Sequence, residues 1–593
     1  VSATSGVCVK IPQAPVATQC EWPQFHHDGA HTGLTDCDTC PWMELKWSRT
    51  LSLRKKADEF TFASPIVAAG KVFAGAMDGQ LLACDAVTGA PVWAYPVGAN
   101  PIQSAAAAVT FTDGLTVVVV GTSTGLAGID AGTGILLWTA TLTGGINRGS
   151  PTMVGGVVYA ASVGGVAAGI DARTGAIFWS NTLLGLGVDC SPAYGNGSLF
   201  ILRSGINNTD VLKLDAVSGV LQGILSLTDG PTSSSPAYGQ GRVFFGCDRG
   251  VFYVVDAASM SLVCSPSFKV PNPPIVFSTP AVSGSSIYVG AADPAMKNAD
   301  GGIWTFDNGM VPPCTMTHVY PAVDGADVFS SPALGWDDAI FFGVDRLKKV
   351  SGASLLGIDR SGSSMFGFAV PAGFTARGSP AIANEMVYYT AATGTKAKAG
   401  VLVLYAFGPV PFRPPFALTA VPDPTDCNVK LCWQMGTQSC PLPTTMRVYR
   451  STTPGFVVNA PSTDLVADLP PMAATCFTDT SVTAGITYYY RVCTSQTSWG
   501  PPIILPFNWF CSNEISVTMQ PVLAPPVIVG IGAGTTLTAT VFWDAPNVPC
   551  HDECTRYIIF RSTVPGQRGI LVGSVVGSVS MFVDPDPIPG EVN

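Results

Sequence analysis

The sequence predicts an all-β chain whose larger part is a ring of four-stranded blades. Three observations carry this. Charge is scarce while apolar and turn-forming residues abound, short strand-opening signals recur at a nearly constant interval, and two later segments follow a different strand pattern. Read together, they give an eight-bladed β-propeller followed by two immunoglobulin-like sandwiches, the second incomplete.

Composition sets the frame. The 593 residues include 64 Gly and 48 Pro, with 47 % apolar, 9 % aromatic and 12 % charged residues. That length suits three or four domains. The charged share is about half that of an ordinary soluble domain, and the aromatic content excludes disorder. The net charge of −10 is spread thinly. With no basic patch to follow a phosphate backbone, nucleic acid is excluded as a partner. No run of about 18 apolar residues lacks Gly, Pro or polar breaks, so no membrane span is expected. The opening VSATSG has neither a basic nor an apolar leader region, so Val1 reads as a mature N-terminus or as the first ordered residue. Seventeen cysteines scattered over β segments point to disulfides and an oxidising, extracellular or cell-surface location. Their odd number leaves at least one free or paired outside the chain.

The repeat is the main signal. Ser-Pro or a similar pair opens a short apolar strand at Ser64, Ser150, Ser191, Ser235, Thr279, Ser331 and Ser379, and Ser104 fills the first gap. Eight starts lie 40 to 52 residues apart, the period of a propeller blade. In the clearest copies an Asp precedes a Trp by eight residues: Asp85 and Trp93, Asp130 and Trp138, Asp171 and Trp179. The carboxylate suits a turn, where it accepts local N–H bonds, and the indole covers the neighbouring blade edge. Later copies drift: Gly223, Cys264 and Gly367 stand where Trp is expected. Met43 to Leu51, with Trp47, precedes the first start and is expected to complete the last blade, removing an exposed edge.

These motifs resemble the quinoprotein-like propeller repeat with its tryptophan-docking motif, over roughly residues 20 to 410. WPQFHHDGAHTG, from Trp22 to Gly33, is similar to the lead-in of such propellers. After a Pro-rich linker, VKLCWQM, TMRVYRSTTPG and CFTDTSVTAGITYYYRVCTS resemble a fibronectin type III module, with Trp433 in its second strand and Tyr488 and Tyr490 in its sixth. LTATVFWDAP and TRYIIFRSTVPG begin a second copy, whose final two strands are absent from this sequence. The expected domains are a disulfide-bearing lead-in over 1–42, a propeller over 43–410, a first fibronectin type III module over 411–522 and a partial second over 523–593.

Candidate sites mostly reduce to structure. His26, His27, His31 and Asp28 could ligate a transition metal, but their place in the lead-in gives them a structural role. Cys37 and Cys40, in C-x-x-C spacing, could be redox-active or bind zinc with Cys8 and Cys20; a structural disulfide is the favoured reading. Asp293, Asn298 and Asp300 offer oxygen ligands in a loop that is not an EF-hand. Asn196 and Asn207 begin glycosylation sequons. Alternation sends Cys432 and Cys476 outward on neighbouring strands, which favours a bridge between them. Cys550 and Cys554 are placed to close a small loop. The resemblance implies a quinone cofactor held over a vicinal disulfide and a calcium site. This chain has no adjacent cysteine pair, no convincing calcium set, no G-x-S-x-G and five histidines in all. The expectation is therefore no enzyme and no cofactor. The chain reads as a surface scaffold or assembly subunit, with protein partners or self-association through the fibronectin-like modules. A ligand- or protein-binding adhesin and a quinone-dependent oxidoreductase are the alternatives.

Overall fold

The computed structural model describes residues 20–35, 37, 43–54, 63–182, 188–266, 276–292, 301–306, 314–321, 326–335, 339–346, 354–371, 374–395, 398–409, 415–423, 427–434, 445–458, 463–469, 475–495, 509–519, 527–533, 539–544, 556–562, 570–576 and 581–584. Among these every regular element is a strand. The chain divides into two compact units, Val1–Val410 and Pro411–Asn593.

The described residues of the first unit form eight antiparallel sheets, whose innermost strands neighbour one another in a closed cycle. The first sheet runs outward through Ile66–Ala68, Lys71–Gly75, Gln80–Asp85 and Pro91–Pro96. Its inner strand is wholly buried and its outer strand mostly exposed. The last sheet is completed from the far end of the unit: Met43–Arg54 pairs with Lys398–Pro409, placing Trp47 opposite Ala406.

The repeat motifs make the joints between sheets. In each turn the Asp carboxylate gathers local donors: Asp85 Oδ1 accepts from Thr88 N–H at 2.8 Å and Thr88 Oγ1 at 2.7 Å, and Asp130 does the same with Thr133. Asp171 accepts from the N–H groups of Arg173 and Thr174. The glycine closing each turn adopts positive φ and takes the indole of the preceding sheet against its face. Any side chain at Gly134 would collide with Trp93, and at Gly175 with Trp138. Each indole N–H also donates to a carbonyl of the next sheet: Trp47 to Ala86 at 3.2 Å, and Trp93, Trp138 and Trp179 to Ala131, Ala172 and Ala216 at 3.0 Å.

Where Trp is missing, other chemistry fills the joint. Gly223 pairs across the strands with Lys213, whose ammonium donates to Ala257 of the next sheet at 2.8 Å. Cys264 is disulfide-bonded to Cys314 near the outer strand of the next sheet. In the seventh sheet the turn after Asp359 is shorter, so the residue at the Trp place is Phe366, not Gly367. It packs on Phe407 of the last sheet at 5.3 Å.

A belt of hydroxyls ties the inner strands together. Ser150 Oγ accepts from Ala105 N–H, Ser191 from Ser150, and Ser235 from Ser191, at 2.8–3.0 Å. Ser331, Ser379 and Ser64 accept from Thr279, Ser331 and Ser379, each at 3.0 Å. The start read at Ser104 therefore lies one residue early; Ala105 holds the belt position. The proline that follows most belt serines keeps the chain extended and brings no N–H that would need a partner in the buried ring.

In the second unit, Phe416–Asp423, Asn428–Gln434 and Cys476–Asp479 form one sheet. Asp464–Leu469, Thr445–Ser451 and Thr487–Ser495, with Trp509–Cys511 and Ile515–Thr518, form another. The two share a buried cluster around Leu431, Trp433, Val448, Tyr490 and Val492. Cys432 lies directly opposite Cys476 and is bonded to it, their Cα atoms 4.1 Å apart. Further on, Val527–Ala533, Ala539–Asp544 and Met581–Asp584 form a sheet, and Arg556–Arg561 pairs with Ile570–Val576.

Two outcomes test these joints. Trp138 is 8 % exposed, so Trp138→Ala should destabilise the chain by about 3–5 kcal/mol, read by chemical denaturation followed by far-UV circular dichroism. Cys264→Ser opens a bridge between residues 50 apart and should lower stability by about 4 kcal/mol on the chain-entropy account. Reductant, which also opens Cys432–Cys476 and Cys493–Cys511, should destabilise the parent's first unit by a similar amount and bring no further loss at this joint in the variant.

Candidate functional site

Propeller chemistry is concentrated on the axis, and here both ends of the axis are defined by named residues. One end is covered by residues 20–35, which meet all eight sheets in cyclic order. Cys20 O accepts from Asn384 N–H in the last sheet, and Trp22 pairs with Val67 in the first. Pro23 O accepts from Ala108, Gln24 Oε1 from Met153, and Gly29 O from Tyr194. Ala30, Thr32 and Gly33 then accept from Tyr238, Val282 and Leu334. Such a tight circuit needs sharp reversals, and Cys20, His26, His27, His31 and Gly33 all adopt positive φ.

The histidines serve this hub. His26 ring nitrogens lie 2.7 Å from His31 O and 2.9 Å from Pro332 O. His31 Nδ1 lies 2.9 Å from Pro236 O, and Nε2 3.3 Å from Thr152 Oγ1. Phe25 packs against both imidazoles. Burial pushes His26 down from 6.5 to about 4, against the opposing pull of neighbouring carbonyls, and pushes His31 down as well. Burial alone would raise Asp28, but His27 and the Thr32 hydrogen bonds outweigh it and hold the carboxyl below its ordinary range. Among the described residues no three His, Cys, Asp or Glu side chains form a metal-holding group.

The other end holds a cavity of about 110 Å³, floored by Phe25 and walled by the belt serines. Its rim comes from the residue two places before seven of the eight belt positions: Gln103, Arg148, Asp189, Ser233, Phe277, Phe329 and Arg377. These side chains engage one another. Arg148 Nε donates to Gln103 at 3.2 Å and its guanidinium lies 3.7 Å from Asp189. Arg377 donates to Asp345 at 2.8 Å and lies over the Phe329 ring at 4.4 Å. Ser233 donates through N–H and Oγ to Asp248, whose carboxyl is pushed up by burial.

Pyrroloquinoline quinone does not fit the cavity beside the belt. The cavity is well below the roughly 300 Å³ at which ligand pockets begin, and its arginines are engaged by carboxylates of the chain itself.

The rim is the part that sequence reading missed. Its signal was present, one variable residue at a fixed offset before every Ser-Pro start, but those residues share no type. Asp85, Asp130 and Asp171 form turns, while Trp47, Trp93, Trp138 and Trp179 form joints; none of them lines the rim. Cys37 is buried, and Cys40, Cys550, Cys554 and the Asp293–Asp300 loop lie outside the described residues. Cys264–Cys314 and Cys493–Cys511 are bridges that spacing alone did not suggest.

The fold is that of a known class of propeller. Residues 44–185 match a family model described as outer membrane protein assembly factor BamB. Among solved structures, quinohemoprotein alcohol dehydrogenase from Comamonas testosteroni is 14 % identical, with a TM-score of 0.51 over 69 % of this chain and 84 % of that one. The quinohemoprotein alcohol dehydrogenase ADHIIG of Pseudomonas putida HK5 is also 14 % identical, with a TM-score of 0.49 over 69 % and 86 %. BamB from Moraxella catarrhalis is 15 % identical, with a TM-score of 0.43 over 62 % and 97 %. The fold assignment rests on the first of these structures and on the matching repeat. No curated protein matches the chain.

The hub makes stability depend on pH. A His26 whose pKa lies below its unfolded value contributes fully above about pH 6.5, and that contribution is lost as pH falls towards 4. The loss should be on the order of 3 kcal/mol. Urea midpoints measured between pH 7.5 and 4 should fall accordingly, and less steeply in His26→Gln.

Proposed function

We propose that this chain is a non-catalytic scaffold or assembly subunit acting outside the cell or at its surface. In this reading an eight-bladed propeller is joined to fibronectin type III modules, and its partners are proteins. The observation that carries the reading is the state of the axis. Sixteen residues of lead-in cover one end, and the small cavity at the other is ringed by side chains that satisfy one another. Binding energy is then available from the outer surfaces of the propeller and from a cavity of about 820 Å³ beside the lead-in, lined by Glu21, His27, Asp28 and Tyr194 among others, rather than from the belt end of the axis. The match of residues 44–185 to a model named for an assembly factor supports the same direction.

The module assignment draws on the second unit. Tyr488 Oη accepts from Thr483 N–H at 3.0 Å, the geometry of a tyrosine corner, beside two sheets with a common core. Arg450 pairs with Asp479 at 2.9 Å, and Arg561 with Asp584 at 3.0 Å, the same pairing at corresponding strands of the two copies. Disulfides Cys264–Cys314, Cys432–Cys476 and Cys493–Cys511 suit an oxidising compartment.

The competing reading, a quinone-dependent oxidoreductase, draws on fold similarity alone. Reconstitution with pyrroloquinoline quinone and calcium tests it. We expect no bound-quinone absorbance after desalting and no dye-linked alcohol oxidation. Quinone-dependent turnover would remove the scaffold reading.

A further inference from the structure

The belt hydroxyls have a hydrogen-bonding capacity that the ring itself does not use. Ser150, Ser191, Ser235, Ser331 and Ser379 are 3–8 % exposed, and all five wall the cavity of about 110 Å³ at the belt end of the axis. Each Oγ accepts one backbone N–H at 2.8–3.0 Å. None of the five donates its own proton to an acceptor among the described residues. A serine hydroxyl is a donor as well as an acceptor, and its proton turns to whatever acceptor is within reach. Five buried donors around one cavity therefore call for an acceptor inside it.

The walls also select its kind. Water brings two protons of its own, and among walls that donate those protons need acceptors in turn. An anion accepts from several donors at once and donates nothing. The charged groups of the rim already face one another: Arg148 lies beside Asp189, and Arg377 holds Asp345. The O–H dipoles of the belt are what remains to meet a negative charge. The space is too small for a cofactor, yet it holds a monatomic ion and a few waters, at about 30 Å³ for each water.

We propose that the belt end of the axis binds a halide ion, chloride in ordinary media, held by these five serine hydroxyls. A spherical acceptor has no preferred direction, which suits donors arranged around an axis. An oxyanion of higher charge needs cations, and those of the rim are paired with carboxylates of the chain. The five serines open five different sheets, so the ion joins sheets that the belt otherwise links only neighbour to neighbour. Its role is structural, at the end of the axis opposite the lead-in, and it is independent of the partners the scaffold reading assigns.

The test uses the full chain, dialysed into sodium gluconate and titrated with sodium chloride at constant ionic strength. The thermal midpoint should rise saturably with chloride, and likewise with bromide. In Ser191→Ala the half-saturating chloride concentration should rise at least about tenfold, the loss of one hydrogen bond to a charged acceptor. Ser191→Thr keeps the hydroxyl and should stay near the parent. The readout is the halide-dependent increment, because Ser191→Ala also removes the acceptor for Ser150 N–H and lowers the starting midpoint. Crystals of the parent protein grown in bromide decide without any variant: an anomalous peak within hydrogen-bond reach of the belt hydroxyls is expected. A midpoint indifferent to chloride overturns the proposal, and a bromide peak beside that flat titration means an adventitious ion only. Water alone inside the ring in bromide, or chloride stabilisation unchanged in Ser191→Ala, overturns it as well. None of these results bears on the scaffold reading.

Discussion

Closing a ring of sheets is the constraint on which the first unit depends. Each sheet buries its flanks only against two neighbours, so a single open joint would expose two faces at once. Three devices act at three radii. Hydroxyls of the belt link inner strands by short bonds, indoles and their substitutes link outer strands to the next turn, and the lead-in holds every sheet to one central segment. The first two act between neighbours. The third acts on all sheets together, so the lead-in couples distant parts of the ring.

That coupling explains the composition of the axis. A segment that must turn through a full circuit within sixteen residues has little freedom in its side chains. Its two buried histidines face carbonyl oxygens and a hydroxyl of the ring, and Phe25 fills the space between them and the belt. At the belt end, what remains of the axis is small and internally paired.

Much of the ring was legible in the sequence because its joints repeat. Ser-Pro at the belt, Asp in the turn and Trp at the dock are each fixed by a local requirement, and the period set the number of starts. Errors arose where one part of the motif changed. Ala105 has no hydroxyl, so the neighbouring Ser104 was taken for the belt residue. The shortened turn after Asp359 moved the dock to Phe366. The Cys264–Cys314 bridge was hidden because spacing does not disclose which cysteines meet in space. The rim residues were hidden for a different reason: only their position recurs, and position without a residue type leaves no pattern. In the second unit, strand alternation placed Cys432 and Cys476 on facing outward positions, and direct cross-strand register is a short-range relation that a sequence can carry.

The pairing of Met43–Arg54 with Lys398–Pro409 has a consequence in time. The strand that completes the ring is synthesised some 350 residues before its partner. Until then the early sheets lack their closing neighbour, and the lead-in has nothing to encircle. Loop closure over such a separation is entropically slow, and bare edges remain available to wrong partners meanwhile. The charges on this waiting strand, Glu44, Lys46 and Arg49, therefore matter most before the native state exists, keeping an unpaired edge soluble until Lys398–Pro409 arrives.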